Sequence, residues 1–337
     1  MAAVPPIATL QSEATPNSMA APKAAIIGVL GQDGGYLARL LVNKGYEVHG
    51  TSRAPERVGS SPLQALGLRR QVRLHAIMPT DFSSVLPFLQ QVGADEIYNL
   101  SGQSSVASSF RQPLETFSSI TTATMNFLEC IRLLGSGVRY YNASSSEMFG
   151  NTPTPADEAT PFRPRSPYAT AKAAAHHAVA NYREAYGLRA CSGILFNHES
   201  PFRPEQFVTR KVVCTARRIA AGSPERLSLG NVEIHRDWGW AEEYVESMWR
   251  MLQQETLEDF VIATGHTHSL WEFVEGVFAG LNLTAREHVD LEPHLRRPSD
   301  ITYSAANPAK ARRALGWEAK SDLAQVIDKL LAAPTAA

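Results

Sequence analysis

The chain reads as an α/β protein with a doubly wound parallel sheet and a smaller α/β lobe. Short apolar runs alternate with stretches of helical period through its first two hundred residues, with glycines and polar clusters at the junctions. After about residue 197 the texture changes to Pro-rich loops, short strands and isolated helices. Strands that alternate with helices line up parallel and are covered on both faces. Six strands are expected at 24–29, 46–51, 72–76, 96–100, 138–143 and 190–196. Helical patterns at 34–43, 82–91, 113–134 and 166–186 lie between them. Later helices fall at 208–221, 241–254, 270–281 and 308–315. Three regions follow: a disordered extension over 1–22, a nucleotide-binding domain over 23–196, and an interleaved substrate lobe over 197–337. Ligands are expected in the crevice between the two folded parts.

The first strand runs into Gly28-Val-Leu-Gly31-Gln-Asp-Gly34, and a helix opens directly after it. The spacing is G-x-x-G-x-x-G, not the stricter dinucleotide fingerprint G-x-G-x-x-G, but the physics is shared. Glycines let backbone approach a pyrophosphate, and the first N–H groups of the helix point at the anion. A plain strand–helix turn is the other reading. The second strand ends at Arg53, where an NAD site carries Asp or Glu for the ribose. A guanidinium there suits a 2′-phosphate and points to NADP; a solvated loop residue is the alternative.

The fifth strand delivers Ser144, Ser145, Ser146 and Glu147 at its C-terminal end, where open α/β sheets bind ligands. Serines there are commonly turn residues. The carboxylate among them favours an acid–base site. The next helix carries Tyr168 and Lys172 within RSPYATAKAAAHH. Positions i and i+4 share one face, a turn apart. A lysine ammonium there favours the phenolate of a tyrosine whose ordinary pKa is about 10. The pair is thus a candidate base for a hydroxyl proton, although alone such a pair is most often a surface contact.

At 337 residues the chain can bury a sizeable core. Its 32 basic and 33 acidic residues nearly cancel, with no basic arm, which argues against nucleic acid or an anionic membrane as partner. No apolar run reaches the ~18 residues needed to span a bilayer. Residues 1–22 lack the apolar centre of a secretory signal. Cys130, Cys191 and Cys214 are few and far apart, which suits reduced thiols in a cytoplasm and offers no metal motif. His176/His177 and His266/His268 lack accompanying ligands and are read as helix surface and loop, so no metal is expected.

Together these elements resemble the extended short-chain dehydrogenase/reductase family, whose sheet is Rossmann-like. The runs GQDGGYLARLLVNKGYEVHG, EIYNLSGQSSV, SSSEMFG, GILFNHESP, FVTRK, LGNVEIHRDWG and RRPSDITYSAANPAKARRALGW narrow the likeness to the GDP-mannose 4,6-dehydratases, across roughly 24–330. The resemblance implies a lyase with bound NADP. C4 of a GDP-sugar, foremost GDP-mannose, is oxidised, water leaves across C5–C6, and C6 is reduced to give GDP-4-dehydro-6-deoxy-mannose. It implies Tyr168 at the C4 hydroxyl proton and Lys172 lowering its pKa while holding the nicotinamide ribose. Glu147 falls at the C5 proton, and Ser145, where the family has Thr, on the C4 oxygen. Gly28, Gly31, Gln32, Asp33, Gly34 and Arg53 fall to the cofactor, with Leu100, Ser101, Gln103 and Ser104 beneath it and His198 and Arg203 against it. Asn197, Thr209, Lys211, Arg236 and Arg297 fall to the GDP-sugar, with Ser145 and Glu147.

Some positions depart from the family pattern. Met78 replaces an acidic residue that holds the adenine amino group, and Phe-Arg-Pro follows HESP. Arg53-Ala54-Pro55 replaces paired arginines associated with tetramer contacts, so both a homodimer and a homotetramer stand. Alternatives are a dehydratase of another nucleotide sugar such as a GDP-heptose, an epimerase, and a non-catalytic NADP-binding paralogue. An epimerase needs no carboxylate at Glu147.

Overall fold

Seven parallel strands form one sheet in the computed structural model, which describes residues 20–135 and 137–334. Numbered along the chain they are β1 Lys23–Ile27, β2 Glu47–Ser52, β3 Val72–Ala76, β4 Glu96–Asn99, β5 Arg139–Ser145, β6 Ala190–Leu195 and β7 Phe260–Ile262. Across the sheet they run β3-β2-β1-β4-β5-β6-β7. The chain starts in the middle, builds to one edge, then returns past β1 to add β4. That reversal beside β1 is the switch point at which such sheets open a crevice.

The strands are apolar because both faces are covered. Helices Gln32–Asn43 and Ala241–Leu252 cover one face, where Leu37, Leu41, Tyr244 and Met248 meet Ile26, Tyr98 and Tyr141. Helices Phe82–Val92, Ala123–Leu134 and Pro167–Tyr186 cover the other through Phe88, Phe127 and Val179. Local signals set several ends. Asp81 and Ser166 accept backbone N–H bonds as N-caps, and Gly93, Gly135 and Gly187 close helices in the left-handed conformation.

A second core gathers Val213, Leu229, Trp238, Phe273 and Val326. Small sheets surround it: Thr267–Ser269, His235–Trp240 and Asn197–Glu199 in one, Leu227–Leu229 with Val289–Leu291 in another. The two parts exchange segments. Thr152–Ala156 pairs with Ser304–Ala306 near the other end of the chain, while β7 and Ala241–Leu252 return to the large sheet.

Six strands stand where the sequence placed them, within two residues at each end. β7 and the helices Val106–Arg111 and Leu323–Ala332 were not anticipated. The helix expected over 113–134 is interrupted by a π-helical stretch, Ser118–Thr122, which periodicity does not reveal. Of the extension expected over 1–22, residues 1–19 lie outside those described. Among the described residues no helix is long and apolar enough to cross a membrane, and no cluster of metal-ligating side chains occurs.

Candidate active site

One cavity of about 1100 Å³ opens over the C-terminal ends of β1, β4 and β5, and every residue assigned to catalysis, cofactor or sugar from the sequence lines it. The glycine turn is its first wall. Gly28 has φ +89°, and a Cβ there would sit 3.3 Å from the Leu100 carbonyl. At Gly34 a Cβ would lie 2.5 Å from the Gly28 oxygen, so only glycine lets the helix pack onto the turn. Gly31 caps Gln32–Asn43 without a side-chain acceptor, which leaves first-turn N–H groups for an anion. Chemically, this cradle fits a pyrophosphate.

Gln32 and Asp33 are occupied by the protein itself. Gln32 donates to the His198 carbonyl at 3.2 Å and accepts from the Ser200 hydroxyl at 2.7 Å. Asp33 faces His198 Nε2 at 3.0 Å. Burial works against both charges, yet each partner outweighs it: Asp33 is held below its ordinary pKa and His198 above. These side chains latch the turn to Asn197–Glu199. Further along the rim, Arg53 stands exposed at the end of β2 with Glu115 at 3.5 Å, and Met78 is exposed beside it. Ser101 donates to Asn99 at 2.7 Å and Gln103 to the Ser105 carbonyl at 2.8 Å. Leu100 and Ser104 complete that side.

The opposite wall begins at the end of β5. Helix Pro167–Tyr186 brings the buried Tyr168 and Lys172 against it. Burial pushes the Tyr168 phenol up to about 12; its hydrogen bond with Ser145 opposes this, Glu147 adds to it, and Arg203 pulls downward. The Lys172 ammonium donates to the Ala143 carbonyl at 2.6 Å and lies 5.9 Å from the Tyr168 ring centroid. Burial brings Lys172 down to about 8, against the pull of Asp33. Lys172 was expected to depress Tyr168. Instead it is turned to the strand, and the cation acting most on the phenol is Arg203.

Glu147 is half-buried, and desolvation raises its pKa; Arg236 and Arg297 oppose this and Asp300 reinforces it. Arg236, only 4% exposed, donates to Asp300 at 3.3 Å and to the His235 carbonyl at 2.9 Å. Arg297 donates to the same Asp300 oxygen at 3.3 Å. Thr209 donates to Glu199 at 2.6 Å, and Lys211 to the Ser228 carbonyl at 2.7 Å. Glu199 also lies 3.2 Å from Arg203 Nε. Asp300 and Glu199 were missed in the sequence. Their signal was a carboxylate three residues after Arg297 and another four before Arg203, ordinary spacings that become informative only in the fold.

A second reading is corrected. His176 was taken as helix surface, but it is 8% exposed and faces Ser144 at 3.2 Å. His177 alone turns outward.

Residues 25–330 match the family described as GDP-mannose 4,6 dehydratase. GDP-mannose 4,6 dehydratase 1 of Arabidopsis thaliana is 42% identical over 318 residues, covering 91% of this chain and 88% of the relative. GDP-mannose 4,6-dehydratase of Vibrio cholerae is 43% identical over 330 residues, covering 88% and 89%. Among solved structures, UDP-glucose 4-epimerase of Thermus thermophilus in complex with NAD shares the fold, with a TM-score of 0.80. It is 23% identical, and the match covers 93% of this chain and all of the epimerase.

Proposed function

This chain belongs to the GDP-mannose 4,6-dehydratase family, and we propose that it converts GDP-mannose to GDP-4-dehydro-6-deoxy-mannose with NADP in its large cavity. The observation that carries the reading is Glu147, a half-buried carboxyl of raised pKa that shares with Arg236, Arg297 and Tyr168 the wall of one cavity. Oxidation and reduction at one centre alone need no such group; elimination does.

Bound NADP supplies the oxidation at C4 and the matching reduction at C6, and ends the cycle as it began. Gly28, Gly31 and Gly34 would hold its pyrophosphate, and Arg53 a 2′-phosphate, since an exposed pair with Glu115 is weak enough to give way. Tyr168 takes the C4 hydroxyl proton. Burial holds it at about 12, so it needs added positive charge to act near neutral pH. Ser145 lies beside Tyr168 and would donate to the C4 oxygen; a serine keeps the donor that a threonine would offer.

The C4 ketone acidifies the C5 proton. Glu147, as the carboxylate, removes it and returns it to the departing C6 hydroxyl, a task suited to a group whose raised pKa makes it both a better base and a ready proton donor. Arg236 and Arg297, aligned by Asp300, meet the diphosphate as bidentate donors. Lys211 and Asn197 border the same space. Three unpaired cysteines support a reducing, cytoplasmic setting. Exposed Leu114, Leu133 and Tyr186 on adjoining helices support association as a homodimer or homotetramer.

The test is incubation with GDP-, UDP-, dTDP- and CDP-sugars followed by mass spectrometry. A 4-keto product lighter by one water is expected from GDP-mannose. Turnover of a GDP-heptose alone, or epimerisation without loss of water, would replace the reading.

A further inference from the structure

Three successive residues at the end of β5 are tied to one face of helix Pro167–Tyr186. The Ala143 carbonyl accepts from Lys172 at 2.6 Å, and Ser145 faces Tyr168 across the cavity wall, where it lowers the phenol's pKa. Between them, Ser144 Oγ lies 3.2 Å from His176 Nδ1. Tyr168, Lys172 and His176 stand at i, i+4 and i+8, so their side chains rise along one helical face. The first two rungs of this ladder enter the proposed reaction. The third does not, and His176 is not on the cavity wall.

The surroundings of His176 are built rather than incidental. Its Nε2 side faces Asp259 at 3.8 Å, and Arg183 holds that carboxylate with two bonds of 3.0 and 2.8 Å. The Ser192 N–H adds a third at 2.6 Å. Phe162 meets the imidazole edge-on at 5.0 Å, and the His177 ring lies 5.9 Å away. Burial lowers the pKa of His176, Asp259 opposes this, and His177 and Arg183 lower it further. The ring is therefore neutral near pH 7. Asp259 favours the proton on Nε2, which leaves Nδ1 to accept the Ser144 hydroxyl. Asn142 approaches Ser144 from the other side, Nδ2 to Oγ, at 3.4 Å. The Ser144 hydroxyl is thus fixed from two directions.

We propose that His176 is a positioning residue for this site: it pins Ser144, and so sets the strand end from which Ala143 anchors Lys172 and Ser145 meets Tyr168. Loss of the rung frees that strand end. Lys172, the group placed to hold the cofactor ribose, is affected first and turnover second. The inference rests on the proposed reaction for its turnover arm and on the proposed cofactor for its binding arm.

The experiment uses His176→Leu, His176→Asn and Ser144→Ala in the full chain, with NADPH binding by fluorescence titration beside kcat and KM for GDP-mannose. Ser144→Ala deletes one oxygen and guards against a variant that fails to fold. His176→Leu should weaken NADPH binding about fivefold and lower kcat about tenfold, with KM within about twofold. His176→Asn, whose amide reaches the Nδ1 position, should restore both. Ser144→Ala should reproduce His176→Leu, and the double variant should be no worse than either. Unchanged NADPH binding and kcat, no rescue by Asn, or fully additive losses would overturn the ladder. If wild type makes no product from GDP-mannose, the proposed reaction fails, while the NADPH titrations still decide the role of His176.

Discussion

The two ends of the cavity are built from different material. The end at β1 is mostly backbone: glycines, an uncapped helix terminus, and side chains such as Gln32 and Asp33 already engaged elsewhere. The end beneath the second core is mostly side-chain charge, with the half-buried Glu147, Arg297 and Asp300 beside the buried Arg236 and Glu199. Backbone N–H groups bind any pyrophosphate with little regard to what it carries. Buried charges in fixed pairs hold one shape of ligand and shift each other's proton affinity. Affinity for the cofactor and chemistry on the sugar should therefore be separable by mutation.

The largest effect should fall at the sugar end. Glu147→Gln keeps the volume and removes the base, so dehydration should slow by about 10³-fold while NADPH binding stays within about twofold. Reduced nicotinamide should build up on mixing with GDP-mannose, because the C4 step does not need Glu147. Product at the wild-type rate would erase the distinction between the two ends.

Tyr168→Phe comes next, with a loss of about 10²-fold in kcat and little change in GDP-mannose affinity. Lys172→Met should weaken the cofactor as well as the rate, because Lys172 sits where the two ends meet. The double variant should be barely worse than Tyr168→Phe. Additive losses would mean that the two side chains act separately.

Arg53→Asp tests the cofactor end alone. An acid in place of the guanidinium should shift preference from NADP toward NAD by about 1–3 kcal/mol, with KM for GDP-mannose unchanged. A constant NADP/NAD affinity ratio would remove Arg53 from the site.

The contrast between the ends also explains what the sequence disclosed. Gly28, Gly31 and Gly34 work through local backbone geometry, and Tyr168 with Lys172 through helical spacing, so each is visible within a dozen residues. The strands of the sheet announced themselves because burial on both faces leaves uninterrupted apolar runs. Asp300 serves Arg236 from 64 residues away, and Asp259 stands 76 residues from Arg183. Partners so distant have no sequence period, and apart from Glu147 the sugar end was named through family resemblance alone. β7 escaped for a related reason: three residues are too few to show a pattern, and they join the sheet from within the segment assigned to the other lobe. His176 did carry a local signal, the i+4 step beyond Lys172, but it was read as surface for want of a partner, and that partner is Ser144.

The smallest effect concerns the joint between the ends, where Asp33 on the glycine turn meets His198 on the strand Asn197–Glu199. In the fold Asp33 lies below its ordinary 3.8, so its contribution to stability is present above that pH and is lost as the pH falls through the folded value. His198 lies above its ordinary 6.5, so its contribution is complete below 6.5 and disappears as the pH rises through its folded value. The latch is whole only between these limits. The Tm of wild type should exceed that of Asp33→Asn most near pH 5, and the gap should narrow toward pH 8 and again toward pH 3. In a His198→Gln background, where the titrating partner is gone, the effect of Asp33→Asn should be flat across the alkaline side. A difference between wild type and Asp33→Asn that is the same at pH 5 and pH 8 would mean that the two ends are joined by Gln32 and Ser200 alone, without a charge between them.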